Sequence, residues 1–150
     1  MAGTNGERRE SYRFALPIPT RWMDCDAYGH VNNVIYYAMM DQIVTVFILR
    51  AGVIAMGTSP SIGLCVASRC DFHRSIDYPG VVDARLRVAR IGDKSVRYEI
   101  GLFLEGEDQP AATGDFTHVY VDRNSRVPTS LTGDQRAALA PLLVDGAGQV

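Results

Sequence analysis

Along most of this 150-residue chain apolar and polar positions alternate, and one block breaks the alternation. In 11–21, Tyr12, Phe14, Leu16 and Ile18 alternate with Arg13, Ala15, Pro17 and Pro19. That period predicts a strand, and its prolines place it at a sheet edge or bulge, because proline cannot donate to a ladder. From Val34 the rhythm changes: "VIYYAMMDQIVTVFILR" sets apolar residues on nearly every face at helical period. A helix that is apolar all round should be surrounded. Four strand-like runs follow, at about 62–75, 81–90, 94–104 and 111–121. Val82, Ala84, Leu86 and Val88 alternate with Asp83, Arg85, Arg87 and Ala89, and Val96, Tyr98, Ile100, Leu102 and Leu104 keep the same period. One face of each run is therefore core.

The runs lie close together in sequence, with "IGD" at 91–93 and "EGED" at 105–108 supplying hairpin turns, so an antiparallel meander is the economical topology. Thr132 stands three residues ahead of Gln135, the spacing of a capping box, before a short helix that Pro141 stops. The pattern predicts one α+β domain over 11–128, an antiparallel sheet of about five strands wrapped around one long central helix. Residues 1–10 read as a flexible N-terminus, and 129–150 as a short helix and a frayed tail. One sheet can scarcely cover every side of that helix, so a second subunit is expected to help.

Composition changes this picture little. Apolar residues make up 47% of the chain and charged residues 21%, an ordinary globular balance. A formal charge of −2 argues against a surface built to neutralise nucleic-acid phosphates, so no nucleic-acid partner is expected. Cys25, Cys65 and Cys70 lack a CxxC pair and are odd in number, which favours reduced thiols in the cytoplasm. The start, "MAGTNGERRESYR", has no apolar core of a secretory signal. The greasiest stretch is interrupted by Asp41, Gln42 and Thr45, so no membrane span is expected.

The candidate chemistry sits in "RWMDCDAYGHVNN", 21–33, at the mouth of the apolar helix. If the helix starts at Asn32 or Asn33, both good caps, its first-turn amides have no intrahelical partner and point into the loop. Gly29 permits a tight bend and a close approach by a ligand. Donors aimed at one point suit an oxyanion formed on a carbonyl, and Asp26 can reach the same point to attack it or to deprotonate a water. The plainer alternative is that Asp24, Asp26, Asn32 and Asn33 only make turns and caps, with His30 in a loop hydrogen bond. Asp24, Cys25 and His30 make an incomplete metal set, and no metal is expected.

The stretch "DCDAYGHVNNVIYYAMMD", 24–41, resembles the D-x-D-x-x-G-H-V-N-N-x-x-Y pattern of the 4-hydroxybenzoyl-CoA thioesterase branch of the hotdog-fold acyl-CoA thioesterases. The likeness extends more loosely over about 12–128, through "DFHRSIDYPGVVDARLRVARIGDKS" and "VYVDRNSRVP". It implies a sheet wrapped around a helix, a homodimer with its active sites at the interface, often a dimer of dimers, and no cofactor beyond the coenzyme A of the substrate. It also implies that Asp26 is catalytic, that the Asn33 amide polarises the thioester carbonyl, and that Gly29 shapes the approach. His30 and Asn32 fall among the residues around the substrate. "RIGDKS" matches the turn that holds coenzyme A phosphates, which makes Arg90, Lys94 and Ser95 candidates; Asp93 departs from the pattern where some members carry another cation.

The leading expectation is hydrolysis of an acyl-CoA to a carboxylic acid and free coenzyme A. Two alternatives stay open: a hydratase acting on an enoyl thioester, and a non-catalytic module that binds acyl-CoA or an acyl-carrier protein. No GxSxG elbow, P-loop or dinucleotide GxGxxG is present.

Overall fold

A computed structural model describes residues 7–144. Five strands form one antiparallel sheet: β1 (Phe14–Pro19), β2 (Ser61–Phe72), β3 (Val81–Ile91), β4 (Ser95–Leu104) and β5 (Ala112–Asp122), in the order β1-β3-β4-β5-β2. Helix α1 (Asn33–Arg50) lies between β1 and β2 in sequence, and the short helix α2 (Gly133–Leu139) follows the sheet.

The expected meander holds only for β3, β4 and β5. β2 does not neighbour β3; it pairs with β5 along its length, from Ser61 opposite Asp122 to Phe72 opposite Ala112. The reason lies in the connection. Residues 73–80 contain no two-residue hairpin but a longer crossing over the ends of β5 and β4, with the amides of His73 and Arg74 both donating to the Ala111 carbonyl. β1 forms the other edge, pairing with β3 from Phe14 opposite Leu86 to Pro19 opposite Val81. Its prolines sit where an unpaired N–H is no loss.

Helix α1 is 18 residues long and is not surrounded. Tyr36, Met39, Met40, Ile43, Val44, Phe47 and Ile48 are buried, while Val34, Ala38, Asp41 and Gln42 are exposed. The helix lies on one face of the sheet because five strands cannot close around it. Its close approach depends on Gly114, where a Cβ would run into the Arg69 carbonyl and the Met40 thioether.

Residues 7–10, assigned from sequence to a frayed end, are held. Arg9 pairs with Asp83 at 2.9 Å and donates to the Leu104 and Glu107 carbonyls. Glu7 pairs with Arg87 at 3.0 Å, and the Arg87 guanidinium lies 4.5 Å from the ring centre of Tyr12. Charges on the outer face of the sheet thus pin the N-terminal segment across it. Residues 1–6 and 145–150 lie outside the described residues. At the other end Thr132 and Gln135 form the expected capping box, and a single 3-10 turn carrying Pro141 follows α2. No helix among the described residues is long and apolar enough to cross a membrane.

Candidate active site

The loop between β1 and α1 is a tight, cross-bonded tongue. The Asn32 amide donates to the Asp24 carbonyl at 2.8 Å, Cys25 bridges Val31, and the Asp26 amide donates to the His30 carbonyl at 2.8 Å. Gly29 closes the tip with φ +84° and an amide bond to the Asp26 carbonyl at 3.2 Å. A Cβ there would meet nothing within 4 Å, so glycine serves the backbone angle and not a lack of space.

Asp26 is half-buried near the tip. Its Oδ1 accepts the Tyr28 amide at 2.8 Å and, more weakly, the His30 amide at 3.4 Å. Asn32 is the N-cap of α1, its side chain accepting the Val34 amide at 3.1 Å, while the Ile35 amide donates to the Asn32 carbonyl at 2.9 Å. Asn33 is the exception. Its amide has no partner among the described residues and opens the helix, where the dipole favours negative charge.

The two loop aspartates have different surroundings. Asp24 is only 2% exposed; it accepts the Arg21 amide at 2.8 Å and the Arg21 guanidinium at 2.7 and 3.0 Å. His30 turns the other way and places Nδ1 2.9 Å from Asp77 Oδ1. Asp24, Cys25 and His30 therefore do not converge, and no cluster of three metal-ligating side chains occurs among the described residues. An open cleft of about 410 Å³ lies between β1 and α1, lined by Ile18, Pro19, Asp24, Ile35, Met39 and Gln42.

Arg90, Lys94 and Ser95 are not beside Asp26 of the same chain. β3 starts at Val81 near the loop and runs 11 residues to Ile91, which sets the 92–94 turn roughly 30 Å away at the far end of the sheet. That turn is rigid: the Gly92 amide donates to the Ser95 carbonyl at 2.7 Å, and Arg136 donates to the Gly92 carbonyl at 2.8 Å. Two further cations occupy the same end. Arg123 and Arg126 line a hollow of about 280 Å³ with Leu49, Ile54, Met56 and Ile62, and neither has a carboxylate partner among the described residues. The pair converge only through the turn after β5.

Sequence reasoning also gave no sign of Asp77 or of the true part played by Tyr36. Asp77 meets His30 across 47 positions, in a segment with no period to read. Tyr36 is buried, and its hydroxyl engages the backbone of Arg74 and Ile76.

An antiparallel sheet with one helix on its face defines an α+β fold, and the loop that carries Asp26 leads into a helix whose first amide has no partner among the described residues. Residues 20–140 match the thioesterase-like superfamily, and the chain belongs to it. Among solved structures it is similar to the PA5185 protein of Pseudomonas aeruginosa strain PAO1, at 43% identity and a TM-score of 0.88 over 92% of this chain and 96% of that one. The protein YsmA of Bacillus subtilis strain 168 is 22% identical over 89% of each chain. The DHNA-CoA thioesterase of Staphylococcus aureus, at 18% identity and a TM-score of 0.73 over 84% and 87% of the two chains, shares the fold. Membership of that superfamily supports thioesterase activity in general.

Proposed function

We propose that this chain is a hotdog-fold acyl-CoA thioesterase of the 4-hydroxybenzoyl-CoA thioesterase type, hydrolysing an acyl-CoA to a carboxylic acid and free coenzyme A. The observation that carries this reading is the unpartnered Asn33 amide at the start of α1, on the same tongue that holds Asp26 by one carboxylate oxygen. The amide accepts the charge that builds on the thioester oxygen. If Asp26 attacks the carbonyl carbon, the C–S bond breaks to leave an acyl-aspartyl anhydride and a thiolate, and water then hydrolyses the anhydride, regenerating Asp26 and supplying the proton the thiolate takes up. If Asp26 instead takes a proton from an attacking water, the C–S bond breaks and that proton ends on the departing thiolate.

The reading includes a homodimer. β2 is a 12-residue edge strand, exposed at Leu64, Val66 and Phe72 and lacking the prolines that blunt β1. Beside it lies the exposed Asp41 of α1, whose charge acts on Cys65 of β2. Antiparallel pairing of two β2 strands about a two-fold axis sets the Ser61 end of one copy beside the Phe72 end of the other. The far-end cations Arg90, Lys94, Arg123 and Arg126, with Ser95, then approach the partner's helix mouth, where phosphates of coenzyme A need countercharge.

The test is thiol release from a panel of aryl- and alkyl-CoA esters by the parent protein and by Asp26→Asn. The expected result is turnover with a sharp acyl preference in the parent and at least a hundred-fold lower kcat, roughly, in the variant. A folded Asp26→Asn protein working at the parent rate would overturn the assignment.

A further inference from the structure

The segment 73–80 joins β2 to β3 and passes along the tongue that carries Asp26. Tyr36, in the first turn of α1, reaches it from below: its hydroxyl accepts the Ile76 amide at 3.0 Å and donates to the Arg74 carbonyl at 3.3 Å. Burial is the largest influence raising the Tyr36 pKa, and nearby Asp77 and Asp26 push the same way, so the phenol keeps the proton it donates. The Ile76 carbonyl in turn accepts the Val31 amide at 2.9 Å, and Val31 bridges Cys25, the neighbour of Asp26. A second route runs through Asp77 to His30 at 2.9 Å, and the His30 carbonyl accepts the Asp26 amide at 2.8 Å. Both routes end on the peptide units beside Asp26.

The geometry matters because a carboxylate and an amide must hold their separation to about 0.5 Å to act on one carbonyl. The Asn33 amide is fixed by α1, whereas the tip of the tongue, 27–30, is exposed. Tyr36 stands on the same helix three residues beyond that amide, so its hydroxyl refers the tongue to the element that carries the donor. We propose that Tyr36, with the Asp77–His30 pair, forms a brace that sets Asp26 against the Asn33 amide, Tyr36 being a positioning residue that acts through Ile76 and Val31. The kinetic consequence rests on the thioesterase reading above; the brace itself does not.

Tyr36→Phe removes one oxygen and leaves the ring against Phe72, 5.0 Å away at 75°. In thiol-release kinetics kcat falls about ten-fold while KM stays within about two-fold, the pattern of a displaced catalytic group and not of a lost binding contact. Asp77→Asn gives a smaller loss, and the double variant loses less than the product of the two single effects, because both act on one loop. Peptide-level hydrogen exchange is read on the same proteins: Tyr36→Phe speeds exchange in 24–32 and leaves the rest of α1 at the parent rate. Unchanged exchange in 24–32 for both folded variants overturns the brace, as does faster exchange spread evenly over the chain. If the parent protein releases no thiol from any ester, the thioesterase reading fails, and the exchange measurement alone decides the brace.

Discussion

The Asp24 carboxylate is bound by Arg21 three residues earlier, accepting the backbone amide at 2.8 Å and the guanidinium at 2.7 Å, and it is almost wholly shielded from water. A carboxylate committed in this way is not free to attack a carbonyl. Asp24→Asn keeps an acceptor for the Arg21 amide, so it should leave kcat within about ten-fold of the parent. Asp24→Ala should cost about 1–3 kcal/mol in chemical denaturation, the penalty for leaving buried donors unpaired. A loss of activity in Asp24→Asn equal to that in Asp26→Asn would put the chemistry on the wrong aspartate.

Gln135 ties α2 to the body of the domain. Its backbone amide donates to Thr132 Oγ1, its Oε1 accepts the Thr132 amide, and its Nε2 donates to the Val53 carbonyl at 3.2 Å and to Ser61 Oγ at 3.1 Å. Thr132→Ala should therefore cost about 1 kcal/mol as a lost cap. Gln135→Ala should cost about 1–3 kcal/mol, because it also strands a buried carbonyl. Urea denaturation ranks the two, and equal costs would mean that the contacts to Val53 and Ser61 contribute nothing.

His118 is buried on β5 with neither ring nitrogen hydrogen-bonded among the described residues. Burial lowers its pKa; nearby Asp41 pulls the other way and does not win. In the unfolded chain the ordinary value near 6.5 returns, so below that value the unfolded state binds more protons. The contribution of His118 to stability is thus full above about pH 6.5 and declines as pH falls toward the depressed native value. Denaturation midpoints between about pH 5 and 7 should fall more steeply for the parent than for His118→Phe. Parallel slopes would show that the imidazole titrates in the fold as it does in the unfolded chain.

Burial pushes the Cys70 thiol up to about 12, with Asp71 adding to the shift. Since the thiolate is the reactive form, iodoacetamide at pH 8 should label Cys70 in the folded protein roughly a thousand-fold more slowly than in the same protein in denaturant. Peptide mapping after timed labelling reads this directly. Labelling at the unfolded rate would mean that β2 opens at that point.

Much of the fold is written locally. The period of two in 81–90 and 94–104, the prolines of β1 and the Thr132–Gln135 spacing each constrain only neighbours in sequence, and each element formed where that local chemistry put it. The placement of β2 was not readable this way. Its partner is set by a connection of eight residues that crosses the sheet and does not fold back on itself, and the economical neighbour, β3, was the wrong one. The period of α1 did not say which of its faces the sheet would leave open: in the single chain Val34, Ala38, Asp41 and Gln42 are exposed.

The site divides along the same line. The sequence by itself determined that a carboxylate, a glycine and a helix start would share one short tongue, because Asp26, Gly29 and Asn33 are separated by so few residues that the backbone has little choice. Only the tertiary structure decided which aspartate is tied down and where His30 points, and it set Tyr36 beneath the Asp26 loop while sending Arg90 and Lys94 to the opposite end of the sheet. Apart from the Arg21–Asp24 pair, three residues apart, those outcomes depend on contacts across about 40 positions, or on which end of a strand a turn occupies. A local pattern carries residue type and period, and neither fixes the partner of a side chain that must cross the fold to find it.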